Sequence, residues 1–323
     1  MGYRFVTGED FPQYTEYLRK QGLDVTSVHF DKINEETTIE NFKGYDGVIA
    51  CTEPYNKKVI EGLKDSLKII CRVGIGYDSV DIGYAAECGI CCTNTPGMMS
   101  AGVAETSLLL MLECTRKFYR HYNNLANGVW NKGPMLHELE GKTVGILGFG
   151  NNGKRLAQYL TGFRCRVLAF DVNFDKAAGE EFNVTEADTD TILAESEFVC
   201  INVPLMDATR GMVNKEFLSK MKKTAFLINT ARGGVVDEPA LIEALKNNTI
   251  AGAGLDVFAK EPIDPDNELL KLENVFCTPH IATNTHESIF NAYDFIKGQL
   301  YEFMDGRTPK GCLNPTYKDN IKE

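Results

Sequence analysis

The stretch that most constrains this chain is Lys142 to Asp171, KTVGILGFGNNGKRLAQYLTGFRCRVLAFD. Thr143 to Leu147 is a short apolar, β-prone run. Gly148, Gly150 and Gly153 follow as G-x-G-x-x-G. Lys154 to Leu160 has helical spacing, and Arg166 to Phe170 is a second β-prone run that ends at Asp171. The pattern reads strand, glycine turn, helix, strand, acid, and each part has a physical task. Gly148 lets the chain turn sharply off the strand. Gly150, lacking a side chain, lets a pyrophosphate approach the backbone. Gly153 lets the helix pack close to the sheet, and the helix start offers N–H groups and a positive dipole end. Glycines at this spacing also occur in ordinary turns. The flanking strands, the helix and Asp171 are what make this a dinucleotide motif. Asp171 can accept hydrogen bonds from a ribose diol, and its charge repels a 2′-phosphate. Val172, Asn173 and Phe174 supply no arginine to hold one, so NAD is expected rather than NADP.

Bulk properties narrow the class. The 323 residues suffice for two ordinary domains, and 43% hydrophobic with 24% charged residues is a globular composition. A formal net charge of −11 argues against nucleic acid and anionic membrane as partners. No apolar run approaches the ~20 residues a bilayer demands. MGYRFVTGED has charges where a signal peptide needs an apolar core, so a cytoplasmic protein is expected. Ten cysteines are scattered, several of them in apolar strand-like runs (Cys71, Cys200, Cys277), which suits buried thiols. Cys88, Cys91 and Cys92 form C-x-x-C-C without further ligands at suitable spacing, so no metal site is expected.

Residues 1 to about 98 read as a small α/β unit. Tyr3–Thr7, Asp24–Phe30, Gly47–Cys51, Leu67–Val73 and Ile90–Asn94 are strand-like; Asp10–Gln21 and Asn56–Leu63 are helix-like. The fourth strand runs into RVGIGYDSVD at 72–81. Its glycines either present backbone N–H groups at a sheet edge or simply turn into a helix capped by Asp78 or Asp81. Ser100 to Tyr119 is a long apolar helix that begins the second domain, and Trp130 is expected to pack in a core or a subunit interface. After the glycine motif, strands at Phe198–Val203, Ala225–Asn229, Gly252–Val257 and Val275–Cys277 alternate with helices at Phe217–Met221 and from Asp237 to Leu245. A last helix starts near Glu287. Such alternation implies a doubly wound parallel sheet.

Arg232, Glu261 and His280 each stand just after a β-prone run or beside a turn, where a parallel sheet gathers residues at one edge. Arginine can grip a carboxylate with two parallel N–H bonds. Histidine can move a proton near neutral pH, and a glutamate can hold the imidazole and favour its charged form. Beside a nicotinamide ring, these groups suit hydride transfer to and from the α-carbon of a 2-oxo acid. Taken singly, each has a plainer reading as a loop arginine, a solvated glutamate or a turn-capping histidine.

RVGIGYDSVD (72–81), NTPG (94–97), GFGNNG (148–153), VPLMDATRGMVN (203–214), NTARGGVVDE (229–238), GLDVFAKEP (254–262) and TPHIATNT (278–285) resemble, in order and spacing, the D-isomer-specific 2-hydroxyacid dehydrogenase family over nearly the whole chain. The resemblance implies two Rossmann-like doubly wound domains. The substrate domain would be 1–98 with 288–323, and the NAD domain, 99–287, is inserted into it. It implies Arg232 as the substrate-binding arginine, Glu261 as the carboxylate partner and His280 as acid/base. The substrate is a small 2-hydroxy or 2-oxo acid, and Val73 and Gly74 would bind its carboxylate through backbone N–H groups, with Arg72 beside them. NAD would lie against Gly148, Gly150, Asn151, Asn152, Gly153 and Asp171, then Val203, Pro204 and Thr209. Thr230, Ala231, Arg232, Asp256 and His280 would meet its nicotinamide side. Members of the family are usually dimers through the NAD domain, so a homodimer is expected. ACTEPYNKKVIEGL (50–63) is most similar to the phosphoglycerate dehydrogenase branch, without that branch's regulatory domain. Asn152, Asn202 and Ala282 replace, respectively, a usual aliphatic residue, a common histidine and a usual glycine. An NAD(H)-sensing regulator on the same fold is the competing reading, and turnover of 2-oxo acids with NADH discriminates the two.

Overall fold

A computed structural model of the chain describes residues 2–8 and 10–321. Met1, Glu9, Lys322 and Glu323, which fall inside the ranges expected for the substrate domain, lie outside the described residues. The chain forms two compact units, Met1–Met99 with Thr285–Glu323, and Ser100–Asn284. Among the described residues no helix is long and apolar enough to cross a membrane.

The first unit is built on five parallel strands: β1 (Arg4–Gly8), β2 (Asp24–Val28), β3 (Gly47–Ala50), β4 (Ile69–Arg72) and β5 (Cys91–Thr93), ordered β2-β1-β3-β4-β5. The central strands are buried along their length, as parallel strands covered on both faces must be. On one face Phe5, Leu18, Ile49 and Ile69 share a core with Ile289, Tyr293, Ile296 and Leu300 of the helix His286–Met304. The N-terminal and C-terminal stretches therefore make one hydrophobic core. Asp81, one of the two expected caps, accepts from the Tyr84 N–H at 2.9 Å at the start of the helix Ile82–Glu87.

The second unit holds seven parallel strands: β6 (Thr143–Leu147), β7 (Arg166–Phe170), β8 (Val184–Glu186), β9 (Phe198–Ile201), β10 (Phe226–Asn229), β11 (Gly252–Leu255) and β12 (Val275–Cys277). Their order is β12-β11-β10-β9-β6-β7-β8. Strand direction alternates side chains between faces. Leu147, Val199 and Leu227 fill one core, while Ile146, Cys200 and Ile228 fill the other. β6 pairs with β7 on one side and β9 on the other, so the chain reverses its direction of travel across the sheet there. Ligands of open α/β sheets bind at the carboxyl ends of such a strand pair.

One expectation needs correction, and another loses one of its two alternatives. The helix from Ser100 ends at Arg116 rather than Tyr119, because Lys117 takes a left-handed backbone (φ 47°) and a second helix, Phe118–Ala126, starts anew. Trp130 is not in the core: it is 82% exposed, beside the exposed side chains of Tyr122, Leu125 and Val129.

Candidate active site

The glycine loop lies at the carboxyl end of β6. Gly148 has φ +96°, and a Cβ there would stand 2.6 Å from the Asn202 carbonyl oxygen, so both backbone conformation and space demand glycine. Gly153 is buried, and its Cβ would come within 2.2 Å of the Gly148 oxygen, which is the close helix-to-strand packing expected of it. Gly150 differs. Its backbone is extended, it precedes the helix Asn151–Thr161 as N-cap, no side chain caps that helix, and an added Cβ would meet no protein atom within 4 Å. Packing does not require glycine at 150. The surface left by its missing side chain, beside an uncapped helix start, suits a pyrophosphate.

Asp171 ends β7 and turns back to this loop. One carboxylate oxygen accepts the Phe149 N–H at 2.7 Å and the other the Asn173 N–H at 2.9 Å. Each oxygen keeps a further lone pair for a diol. Asn152, where an aliphatic residue is usual, accepts from the Ser100 hydroxyl at 2.8 Å and so ties the helix start to the helix Ser100–Arg116. Val203 and Pro204 follow β9 next to Gly148. Thr209 is spent locally: its hydroxyl donates to the Pro204 carbonyl at 2.6 Å and accepts from the Met206 N–H. The Nδ2 of Asn202 is buried without a hydrogen-bond partner.

The expected catalytic residues follow neighbouring strands. Asn229 ends β10 and ties the next turn from both sides, accepting from the Ala231 N–H and donating to the Arg232 carbonyl, both at 3.0 Å. Thr230 meets the Ser107 hydroxyl at 2.8 Å. A Cβ on Gly233 would fall 1.9 Å from the Phe258 carbonyl, so the Arg232 loop lies directly on the backbone that leads to Glu261. Glu261 Oε2 and His280 Nδ1 are 2.6 Å apart, and Glu261 Oε1 accepts the Phe258 N–H at 3.0 Å. Burial works against ionisation of Glu261. The bonds from His280 and the Phe258 N–H, with the charge of Arg232 behind them, still hold its carboxyl below the ordinary carboxylate range.

Asp256 follows β11. It is fully buried rather than turned to an open edge, and its carboxylate accepts from Thr278 Oγ1 (2.6 Å), Ile281 N (2.9 Å) and Ala282 N (3.0 Å). Its own carbonyl accepts the His280 N–H at 2.8 Å. This one residue holds the turn that puts His280 at φ +53°, a conformation uncommon outside glycine. The spacing in the sequence did not disclose this anchor. An aspartate ending the apolar run Gly252–Leu255 was the available signal.

Arg72, Val73 and Gly74 end β4 in the first unit. The two backbone N–H groups expected to hold a substrate carboxylate are engaged elsewhere. Val73 N donates to the Ala50 carbonyl at 2.9 Å and Gly74 N to Thr95 Oγ1 at 2.8 Å. β3 and the Thr93–Thr95 segment compete for them. Arg72 Nη1 donates to the Ala50 and Val73 carbonyls.

The family described as D-isomer specific 2-hydroxyacid dehydrogenase, NAD binding domain, matches residues 108–282. A glyoxylate reductase of Korarchaeum cryptofilum is 35% identical over 93% of this chain and 94% of its own length. A D-3-phosphoglycerate dehydrogenase of Archaeoglobus fulgidus is 36% identical over 93% of this chain, which spans only 56% of that protein. The NAD-complexed D-isomer specific 2-hydroxyacid dehydrogenase of Lactobacillus delbrueckii ssp. bulgaricus has a TM-score of 0.78 at 26% identity, covering 96% of this chain and 100% of that one. The chain belongs to the D-isomer-specific 2-hydroxyacid dehydrogenase family. It is an NAD-dependent oxidoreductase that moves a hydride between NAD(H) and a 2-hydroxy or 2-oxo acid.

Proposed function

We propose that the chain reduces a small 2-oxo acid of the glyoxylate type with NADH, and oxidises the D-2-hydroxy acid in reverse, through Arg232, Glu261 and His280. The observation that carries this reading is the 2.6 Å pairing of Glu261 Oε2 with His280 Nδ1. With Nδ1–H given to the carboxylate, Nε2 is the nitrogen that exchanges a proton with the substrate oxygen. NAD(H) supplies or takes the hydride. Gly148, Gly150, Gly153 and the N–H groups at Asn151 and Asn152 hold its pyrophosphate, and Asp171 its ribose. Arg232 grips the substrate carboxylate as a planar fork. The glyoxylate reductase relative favours a small acid because this chain spans almost all of its length. The phosphoglycerate dehydrogenase relative is much the longer protein.

A homodimer through the second unit belongs to the same proposal. Phe118, Tyr119, Tyr122, Leu125, Val129 and Trp130 expose apolar surface along one helix and the segment after it, more than a monomer commonly leaves in one stretch. Ten free cysteines support a cytoplasmic setting.

The test pairs a substrate panel with two variants. NADH oxidation is measured with glyoxylate, hydroxypyruvate and 3-phosphohydroxypyruvate. His280→Ala lowers kcat by ~10²–10⁴-fold, the usual worth of one general acid/base, while NADH still binds. Glu261→Gln keeps the shape of the side chain and removes its charge opposite Nδ1, so kcat falls while NADH affinity stays as it is. A kcat equal to that of the unaltered chain would reduce Glu261 to a turn residue and overturn the pairing.

A further inference from the structure

Outside this site, the first unit brings two thiols together. After the helix His286–Met304 the chain returns along β5, the edge strand of its sheet. Thr93 and Cys312 form an antiparallel bridge, Leu313 N donates to the Cys92 carbonyl at 2.8 Å, and Cys92 N donates to Asn314 Oδ1 at 2.8 Å. In a strand, residues two apart share a face, so Cys91 is on the side of Thr93 and of its partner Cys312. The two sulfurs stand 3.9 Å apart. Cys91 is buried and Cys312 is half-buried.

We propose that Cys91 and Cys312 are a redox modification site, oxidised by hydrogen peroxide to a disulfide that fastens the C-terminal segment to β5. The two thiols are not equivalent. The Cys91–Cys312 contact, with the Asn314 backbone and the charge of Lys318 beside it, outweighs burial and brings the Cys312 thiol down to about 6. Cys91 is pushed up by the same contact and by burial. At neutral pH Cys312 is the nucleophile and Cys91 keeps its proton. The Cys312 thiolate attacks one peroxide oxygen, the O–O bond breaks, and hydroxide leaves and is protonated to water. Cys312 is then a sulfenic acid. The Cys91 sulfur attacks it, an S–S bond forms, the S–O bond breaks, and the departing hydroxide takes the Cys91 proton. Two thiols and one peroxide become one disulfide and two waters. The sulfurs close to about 2 Å, and the movement falls on the Cys312 segment, which adds to the open side of an edge strand.

The experiment uses the full chain. Native protein is exposed to hydrogen peroxide, free thiols are blocked, and tryptic peptides are read by mass spectrometry. The expected product is Gly311–Lys318 linked to Val73–Arg116 with the loss of two hydrogens, reversed by dithiothreitol. The link disappears in Cys91→Ser and in Cys312→Ser and persists in Cys92→Ser. In the untreated protein, iodoacetamide labels Cys312 at least about tenfold faster than the other half-buried thiols, Cys88 and Cys277, because the thiolate is the reactive form. Persistence of the link in Cys91→Ser overturns the proposal. So does labelling of Cys312 at the rate of Cys88, or oxidation to sulfinic acid with no cross-link.

Discussion

Both sheets contain a place where the chain reverses its course, between β1 and β3 in the first unit and between β6 and β9 in the second. At β6 the strand end is bare: Gly150 has no protein atom within 4 Å of where a Cβ would be, and the helix behind it has no side-chain cap. At β1 the corresponding end is filled. A Cβ on Gly8 would sit 2.9 Å from Glu53 Oε1, Glu53 is 1% exposed with its other oxygen accepting the Cys51 N–H at 2.8 Å, and Tyr55 and Tyr293 are fully buried. Topology supplies an edge in both. A dinucleotide site further needs backbone donors and the absence of side chains; among the described residues, the second unit's crevice meets both conditions and the first unit's does not.

The comparison can be broken most strongly at Gly150. Gly150→Ala fits the backbone and clashes with nothing, so thermal stability stays as it is. NADH affinity, read by fluorescence titration, falls about 10²-fold, roughly 2.7 kcal/mol. Asp171→Ser comes next. It removes the ribose acceptor and loosens the Phe149 and Asn173 contacts, weakening NADH by about tenfold, roughly 1.4 kcal/mol. Gly8→Ala should show the opposite pattern. It lowers the melting temperature by the equivalent of about 1 kcal/mol, the low end of overpacking because the atom it meets ends a side chain, and leaves NADH affinity alone. A loss of NADH affinity in Gly8→Ala would mean that the two crevices are not independent.

Glu53 gives the smallest effect and the sharpest contrast. Burial raises its carboxyl above the ordinary range, while Glu261 is held below it. For Glu53 the unfolded chain ionises first as pH rises, so its contribution to stability declines above the ordinary carboxylate range. Glu261 behaves in the opposite sense. Its contribution is present at neutral pH and is lost as pH falls through its lowered folded value. In thermal scans from about pH 4 to pH 7, the melting temperature of Glu53→Gln relative to the unaltered chain should therefore rise with pH. A flat difference would show that Glu53 ionises freely.

Local spacing explains what could be read beforehand. The glycine loop, β6, β7 and the short motifs that each hold Arg232, Glu261 or His280 depend on residues within a few positions of one another. The destinations of the Val73 and Gly74 N–H groups depend on Ala50 and Thr95, from other segments, and no pattern around RVGIGYDSVD contains them. The break at Lys117 was hidden for a similar reason, since apolar helical spacing continues on both sides of it. Glu53 went unnoticed because an acid in ACTEPY looks solvated until the strand ends close around it.

The insertion of Ser100–Asn284 within the first unit has a consequence for synthesis. Phe5, Leu18, Ile49 and Ile69 leave the ribosome long before Ile289, Tyr293, Ile296 and Leu300, which complete the same core. The inserted unit is contiguous and can close its two cores as it emerges, in keeping with domains folding as units during translation. The start of the chain must instead keep an apolar face uncovered until the helix His286–Met304 is made. Nascent chains stopped before Thr285 therefore carry that face exposed.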